Sequence, residues 1–183
     1  KYVANPDLMS RTHFARYLVD IGACANIPEV FRKYLSEGRP GYVPHRWATL
    51  AEASVPVAFH LGDSGYQRRL GSAWGGRGEF GFGNSDPLAQ VLVSDRPIQD
   101  TVASLIVHGV FDRHPSLRVA SIENGSDWMK VLTKHLRKQA NQTPWVFAND
   151  PLDTLREHVW VTPYLEEDLT ELAALIGTDR ILF

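Results

Sequence analysis

A single cysteine, Cys24, stands in 183 residues, so no disulfide can form within the chain and a cytoplasmic compartment is the expectation. Nothing near it resembles a Cys–His pair, and a lone thiol is more commonly a small buried hydrophobe than a nucleophile. Long apolar runs are missing too. None approaches the ~20 residues that span a bilayer, and the first ten residues lack a signal-peptide core. Basic excess is also absent: 19 Lys and Arg stand against 21 Asp and Glu, for a net charge of −2. Basic side chains gather only mildly, from Lys130 to Lys138, on what reads as a solvated helix face. Neither nucleic acid nor an anionic membrane is therefore expected as a partner. No glycine-rich phosphate loop follows a strand, because Gly75-Gly76-Arg77-Gly78 lies in mid-loop. Repeats and low-complexity segments are lacking.

What remains is a regular alternation. Trp47, Leu50, Ala51 and Ser54 mark a short helix, and Val55 to His60 is a continuous apolar run, as expected of a strand buried on both faces. A long connection, Leu61 to Pro97, follows. It is rich in glycine and aromatics, and a stretch of that length implies a lid or short elements of its own. Ile98, Val102, Leu105, Ile106 and Val110 recur at helical spacing. Leu117 to Ile122 is a second buried strand that stops at Glu123, and Trp128, Val131, Leu132, His135 and Leu136 form the next helical stripe. A loop over 141–153, a short helix over Leu152 to His158 and a third strand over Val159 to Thr162 come next. Leu165, Leu169, Leu172, Ala173 and Ile176 predict a helix closed by a left-handed cap at Gly177. Arg180 to Phe183 begins a fourth strand.

Buried strands alternating with helices specify a parallel α/β sheet, and the missing dinucleotide signature favours a barrel over a doubly wound sheet. The assignment applies to residues 44–183. Residues 1–43 read less clearly, with a strand over Arg16 to Ile21 and a helix over Ile27 to Ser36 as the expectations there.

Barrel chemistry sits at the C-terminal ends of strands. His60 ends one strand and Glu123 another; a third ends in Thr162-Pro163-Tyr164, a poorer source of ligands. His60 suits a metal ligand or a hydrogen-bonded strand-end histidine. Glu123 suits a ligand, a general base or a structural ion pair. His108 and His135 fall beside or on helix stripes and read as structural. His13, His45, His114 and His158 fall in loops or at element starts, the wrong end of a barrel. Trp74, Phe80, Phe82 and Trp128 could line an apolar pocket or pack the long loop onto the rim.

Four stretches, in order, resemble the amidohydrolase-related family 2, which includes aminocarboxymuconate semialdehyde decarboxylase and γ-resorcylate decarboxylase. They are Val55-Pro-Val-Ala-Phe-His60-Leu-Gly; His108-Gly-Val-Phe-Asp-Arg-His-Pro-Ser-Leu-Arg-Val-Ala-Ser-Ile-Glu123-Asn-Gly-Ser-Asp-Trp128; Val159-Trp-Val-Thr-Pro-Tyr164; and Ile176-Gly-Thr-Asp-Arg-Ile-Leu-Phe183. The resemblance runs from about Trp47 to Phe183. It implies a (β/α)8 TIM-type barrel of which about strands 4 or 5 to 8 are present, and a divalent metal, zinc above all. His60 matches the fifth-strand metal ligand. Glu123 stands where decarboxylases of the family often carry a catalytic histidine, as in a subgroup reading Glu-x-Gly-x-x-Trp. Asn124, Trp128, Trp74 and Tyr164 are the implied substrate-binding residues. A first-strand His-x-His or Glu-x-His pair and the Asp that usually follows Ile-Leu-Phe are not in this sequence, so a fragment is expected, inactive alone. The implied function is hydrolysis or decarboxylation of a small carboxylated or cyclic molecule by a protein that can form homo-oligomers. The alternatives are an incomplete fragment acting through self-association and a metal-free barrel lyase using Glu123.

Overall fold

The structure, a computed structural model, describes residues 44–62, 64–76 and 86–183. The expected strand at Arg16–Ile21, the expected helix at Ile27–Ser36, Cys24, His13, Phe80 and Phe82 lie outside the described residues.

Helix α1 (Pro44–Glu52) buries Trp47, Leu50 and Ala51. It ends before Ser54, which adopts a positive φ of 53° beyond the helix rather than extending its stripe. Strand β1 (Val57–His60) follows. The long connection resolves into short elements: a π turn over Gln67–Gly71, a 3-10 turn over Ser72–Trp74 and helix α2 (Pro87–Val93). Helix α3 (Arg96–Val107) then buries Ile98, Val102, Leu105 and Ile106. The periodicity that ran on to Val110 is interrupted at Gly109, whose φ of 63° and ψ of 34° break the helix and start α4 (Val110–Arg113). A left-handed residue cannot continue a right-handed helix, and glycine adopts it without a Cβ clash.

Strand β2 (Val119–Ile122) leads into α5 (Trp128–Gln142), with Trp128, Met129, Leu132, Thr133 and Leu136 on its buried face. His135, placed on that stripe from the sequence, points to solvent instead. A 3-10 turn (Pro144–Val146), α6 (Pro151–His158), β3 (Val159–Val161) and α7 (Leu169–Ile176) complete the order. The last helix begins four residues later than its apolar spacing suggested, and Leu165 is fully exposed in the preceding turn. Asp86, Asp150 and Asp168 cap α2, α6 and α7, each carboxylate accepting from two backbone amides. Such caps satisfy amides that the helix itself leaves unpaired. Gly177 ends α7 at φ 91° and ψ 150°, an extended mirror conformation and not the left-handed cap expected. Residues 178–180 form a 3-10 turn, and Ile181 makes one parallel bridge to Val161 in place of a full fourth strand.

The three strands form one parallel sheet in the order β1-β2-β3. Val57 aligns with Val119 and Val159, Phe59 with Ser121 and Val161, and His60 with Ile122. Among the described residues helices cover one face: Val57, Phe59, Val119, Ser121, Val159 and Val161 are buried, whereas Ala58 is exposed and Ala120 and Trp160 are half-buried. The apolar run of β1 is thus buried on one face and not on two. Trp47, Leu105, Phe111, Leu117 and Trp128 fill the space between sheet and helices. His158 belongs to this core as well. Its ring stacks on Phe111 at 4.6 Å between centroids and its Nδ1 meets the Leu117 carbonyl at 2.8 Å.

Leu105 has no exposed surface, so Leu105→Ala is expected to cost about 2–5 kcal/mol of stability, as cavity-forming core truncations do. Urea unfolding followed by circular dichroism checks it. A loss below about 1 kcal/mol would place Leu105 outside a close-packed core.

Candidate active site

Parallel pairing fixes which strand ends meet. With His60 aligned to Ile122 and Leu61 N–H donating to the Ile122 carbonyl at 3.0 Å, the residue after β2 emerges beside the last residue of β1. That residue is Glu123, and its Oε2 lies 3.6 Å from His60 Nε2. The two groups singled out in the sequence therefore share one edge of the sheet, at the C-terminal ends of adjacent strands. The side chains are 48% and 63% exposed, and an ion pair that open contributes little to stability.

The imidazole is oriented for work at Nε2. Its Nδ1 lies 2.9 Å from the Leu61 carbonyl, and a carbonyl accepts only, so Nδ1 carries a proton and, in the neutral imidazole, Nε2 presents its lone pair. Zinc ligands lie about 2.0–2.2 Å from the ion in a tetrahedron, which separates neighbouring donor atoms by roughly 3.3–3.6 Å. The observed 3.6 Å between Nε2 and Oε2 fits two of the four positions. Among the described residues no group of three or more His, Cys, Asp or Glu is placed to hold a metal ion. The donor set here is two.

The backbone at Glu123 is unusual. Its φ of 57° is one of two positive values at non-glycine residues among those described, a conformation that costs free energy and persists only when the surroundings impose it. Two groups following β3 do so. Thr162 Oγ1 accepts the Glu123 N–H at 3.0 Å while donating to the Ser121 carbonyl at 3.2 Å, and the Tyr164 hydroxyl donates to the Glu123 carbonyl at 2.8 Å. Burial and the nearby Asp95, Glu167, Glu123 and Glu166 carboxylates push the Tyr164 phenol upward from its ordinary value, which keeps it a donor at neutral pH.

Glu167 locks the assembly from below. Its carboxylate accepts from Ser126 N at 2.8 and 3.0 Å, Ser126 Oγ at 2.6 Å, Asp127 N at 3.3 Å and Tyr164 N at 3.0 Å. Asp127, at the N-cap of α5, makes no side-chain cap, so a carboxylate forty residues onward supplies the negative charge that a helix N-terminus favours. Gly125 makes room for this arrangement: at φ 62°, a Cβ there would lie 2.7 Å from both the Tyr164 ring and Glu167 Oε1.

The implied substrate-binding residues separate. Asn124 spends its side-chain amide on the carbonyls of Phe59 at 3.0 Å and Ile122 at 2.8 Å, tying the ends of β1 and β2 together. Trp128 has no exposed surface, and its Nε1 donates to the Gly125 carbonyl at 2.9 Å. It is a core residue, too deep to touch a ligand. Trp74 is 74% exposed, and Tyr164 stands beside Glu123 with part of its ring open. Thr162 and Glu167 also shape the site, and sequence spacing does not mark either as a site residue. Thr162 was visible at a strand end, but its role lies in a backbone contact across strands, which spacing does not reveal. Glu167 sits within Glu166-Glu167-Asp168, which reads as an ordinary acidic helix start.

No protein-family model matches the chain. The structure is similar to the crystal structure of an amidohydrolase from Mycobacterium avium subsp. paratuberculosis K-10, with a TM-score of 0.70 and 55% identity over 76% of this chain and 34% of that one. Shorter likenesses link the chain to a 3',5'-nucleoside bisphosphate phosphatase of Chromobacterium violaceum, 57% identical over 53 residues, and to the 5'-3' exoribonuclease Rnm of Salmonella typhimurium, 45% identical over 60 residues. These cover 29% and 33% of this chain and only 19% and 20% of the curated relatives. No helix among the described residues is long and apolar enough to cross a membrane.

Asp95 lies near this acidic edge. Burial first, then the Asp127 and Glu167 carboxylates, raise its carboxyl above the ordinary value, against a lowering by Ser94. A raised folded-state value means that Asp95 favours the fold when protonated and that this contribution fades as pH rises through that value. Asp95→Asn is therefore expected to raise the melting temperature at neutral pH, with the gain shrinking toward pH 3.8, the ordinary value. Thermal scans at the two pH values check this; a variant less stable at neutral pH would contradict it. Over three quarters of its length, then, this chain is similar in sequence and in fold to about a third of an amidohydrolase.

Proposed function

We propose that this chain carries part of the active site of a metal-dependent hydrolase that acts on small carboxylated or cyclic organic molecules. The observation that carries the reading is the 3.6 Å approach of His60 Nε2 to Glu123 Oε2 at the C-terminal ends of neighbouring parallel strands. The 55% identity to an amidohydrolase over most of the described residues supports the hydrolytic class and a (β/α)8 barrel of which these strands are one sector. The phosphatase and exoribonuclease likenesses are shorter, and the reading follows the longer one. A chain with one cysteine suits the reducing cytoplasm.

His60 Nε2 would hold a divalent metal, zinc first, alongside donors from elsewhere in the protein, with the Glu123 carboxylate free beside it. When bound, such an ion supplies Lewis acidity at this edge. The chain's own residues supply the proton chemistry. Glu123 takes a proton from the attacking water and returns it to the leaving group. His60, with Nδ1–H fixed on the Leu61 carbonyl, keeps its lone pair directed at the same point. Tyr164, beside the carboxylate, would face the substrate. In a decarboxylase the same carboxyl group would protonate the carbanion left by CO2.

Glu123→Gln keeps the shape and removes the proton shuttle. It is expected to lower turnover by about 10²–10⁴-fold, with His60→Ala losing turnover together with metal. Hydrolysis of a panel of small amides, lactones and carboxylated rings, with CO2 monitored in parallel, distinguishes hydrolysis from decarboxylation. Equal turnover of the variants and the wild type in the full-length parent protein would end the reading.

A second reading, association between copies, is favoured by the uncovered sheet face carrying Ala58 and by the exposed Trp74, Val91 and Leu165. Apolar surface left open in this way commonly marks an interaction site. Light scattering is expected to give a mass above 20.5 kDa; a monodisperse monomer would exclude this reading.

A further inference from the structure

We propose that two segments beside the candidate site, residues 64–76 after β1 and helix α2, form one flap that opens as a unit, and that the Tyr66 phenol latches it to Asp100 of α3. Both segments are rooted at the rim of the site. The first leaves β1 just beyond His60 and turns at Gly65, whose φ of 66° glycine adopts without strain. The second passes from α2 through Ser94 to Asp95, whose carboxyl lies near those of Asp127 and Glu167.

Away from these roots the two segments pack on each other and not on the sheet. Tyr66, Ala89 and Val93 are buried together, with Leu92 against them, in a cluster apart from the main core. Leu88 and Val91 of the same helix are exposed. A part of a fold with so little buried apolar surface of its own opens at a lower free energy than the core does. A polar contact ties it to the body. Tyr66 Oη donates to Asp100 Oδ2 at 3.0 Å, and Arg96 donates to the same oxygen at 3.4 Å. Burial first, then the Asp100 charge, raises the Tyr66 phenol from its ordinary value, so it stays a donor at neutral pH. Hydrogen bonds to an ionised acceptor are the stronger kind. A flap at this place would admit and release substrate. That role rests on the reading of the His60–Glu123 edge as the active site; the opening itself does not.

Hydrogen exchange of the 183-residue chain in rising urea tests the opening. The amides of Arg69, Gln90 and Ser94 donate within the flap, to the Gly65, Asp86 and Gln90 carbonyls, whereas those of Val57 and Thr162 donate across the sheet. The flap amides are expected to exchange with a smaller urea dependence than the sheet amides. Equal dependence overturns the flap, and this comparison needs no substitution. Tyr66→Phe is expected to speed the flap amides by about 10-fold, and to add nothing in an Asp100→Ala background. The same acceleration in both backgrounds overturns the latch. For the admitting role, the full-length parent carrying Glu123→Gln is mixed with a panel compound that the unsubstituted parent turns over. At about ten times its dissociation constant, the compound is expected to slow exchange of α2 by about 10-fold. Exchange unaltered by the compound overturns that role. A parent that turns over nothing in the panel ends the reading of the site instead, and the flap is then judged on its urea dependence alone.

Discussion

The register between β1 and β2 is the constraint from which the site follows. Sequence positions 60 and 123 are far apart along the chain, and only the parallel ladder that sets His60 against Ile122 brings them together. Parallel strands require long crossovers, and here α2, α3 and α4 provide one between β1 and β2, while α5 and α6 provide the next. The apolar faces of α3, α4, α5 and α6 pack on the same side, against valines at matching heights on the three strands, while α2 packs with Tyr66 in a separate small cluster. A slip of one residue would turn those valines to the open face and carry His60 away from its partner. The core that stabilises the sheet is also what aligns the strand ends.

At that edge the chain departs from regular structure in a coordinated way. Asn124 bridges β1 to β2, Thr162 bridges β2 to β3, and Glu167 joins the loop after β3 to the first turn of α5. The strain at Glu123 and the requirement for glycine at position 125 are two sides of one arrangement, since the tyrosine that holds the first fills the space above the second. Strain that neighbours impose on a polar residue at a strand end is characteristic of functional positions.

Much of this was legible in the sequence. The buried strands, the α3 and α5 stripes and the order of elements followed from apolar spacing, and the two strand-terminal residues were visible as polar ends to apolar runs. What spacing did not show was whether a continuous apolar strand has both faces covered, because β1 reads the same in either setting. It also placed the start of α7 at Leu165, where an exposed leucine imitates a helical stripe, and ran α3 through Gly109, where one left-handed residue outweighs the period. His135, expected on a buried stripe, is exposed, and His158, read as an element-start residue, lies in the core, for a related reason. Burial of a histidine depends on the element packed across from it, here Phe111, and not on its own helix. The backbone contacts of Thr162, Tyr164 and Glu167 span about forty residues and leave no periodic trace.

Ala58 and Ala120, side by side in register on the open face, give the ground next to His60 almost no relief. In the barrel proposed above, the face opposite the helices is the interior, which is filled by side chains. Larger residues at 58 or 120 would then press on that packing and on the volume beside the His60–Glu123 edge at once, so stability and ligand shape would be decided by the same two positions.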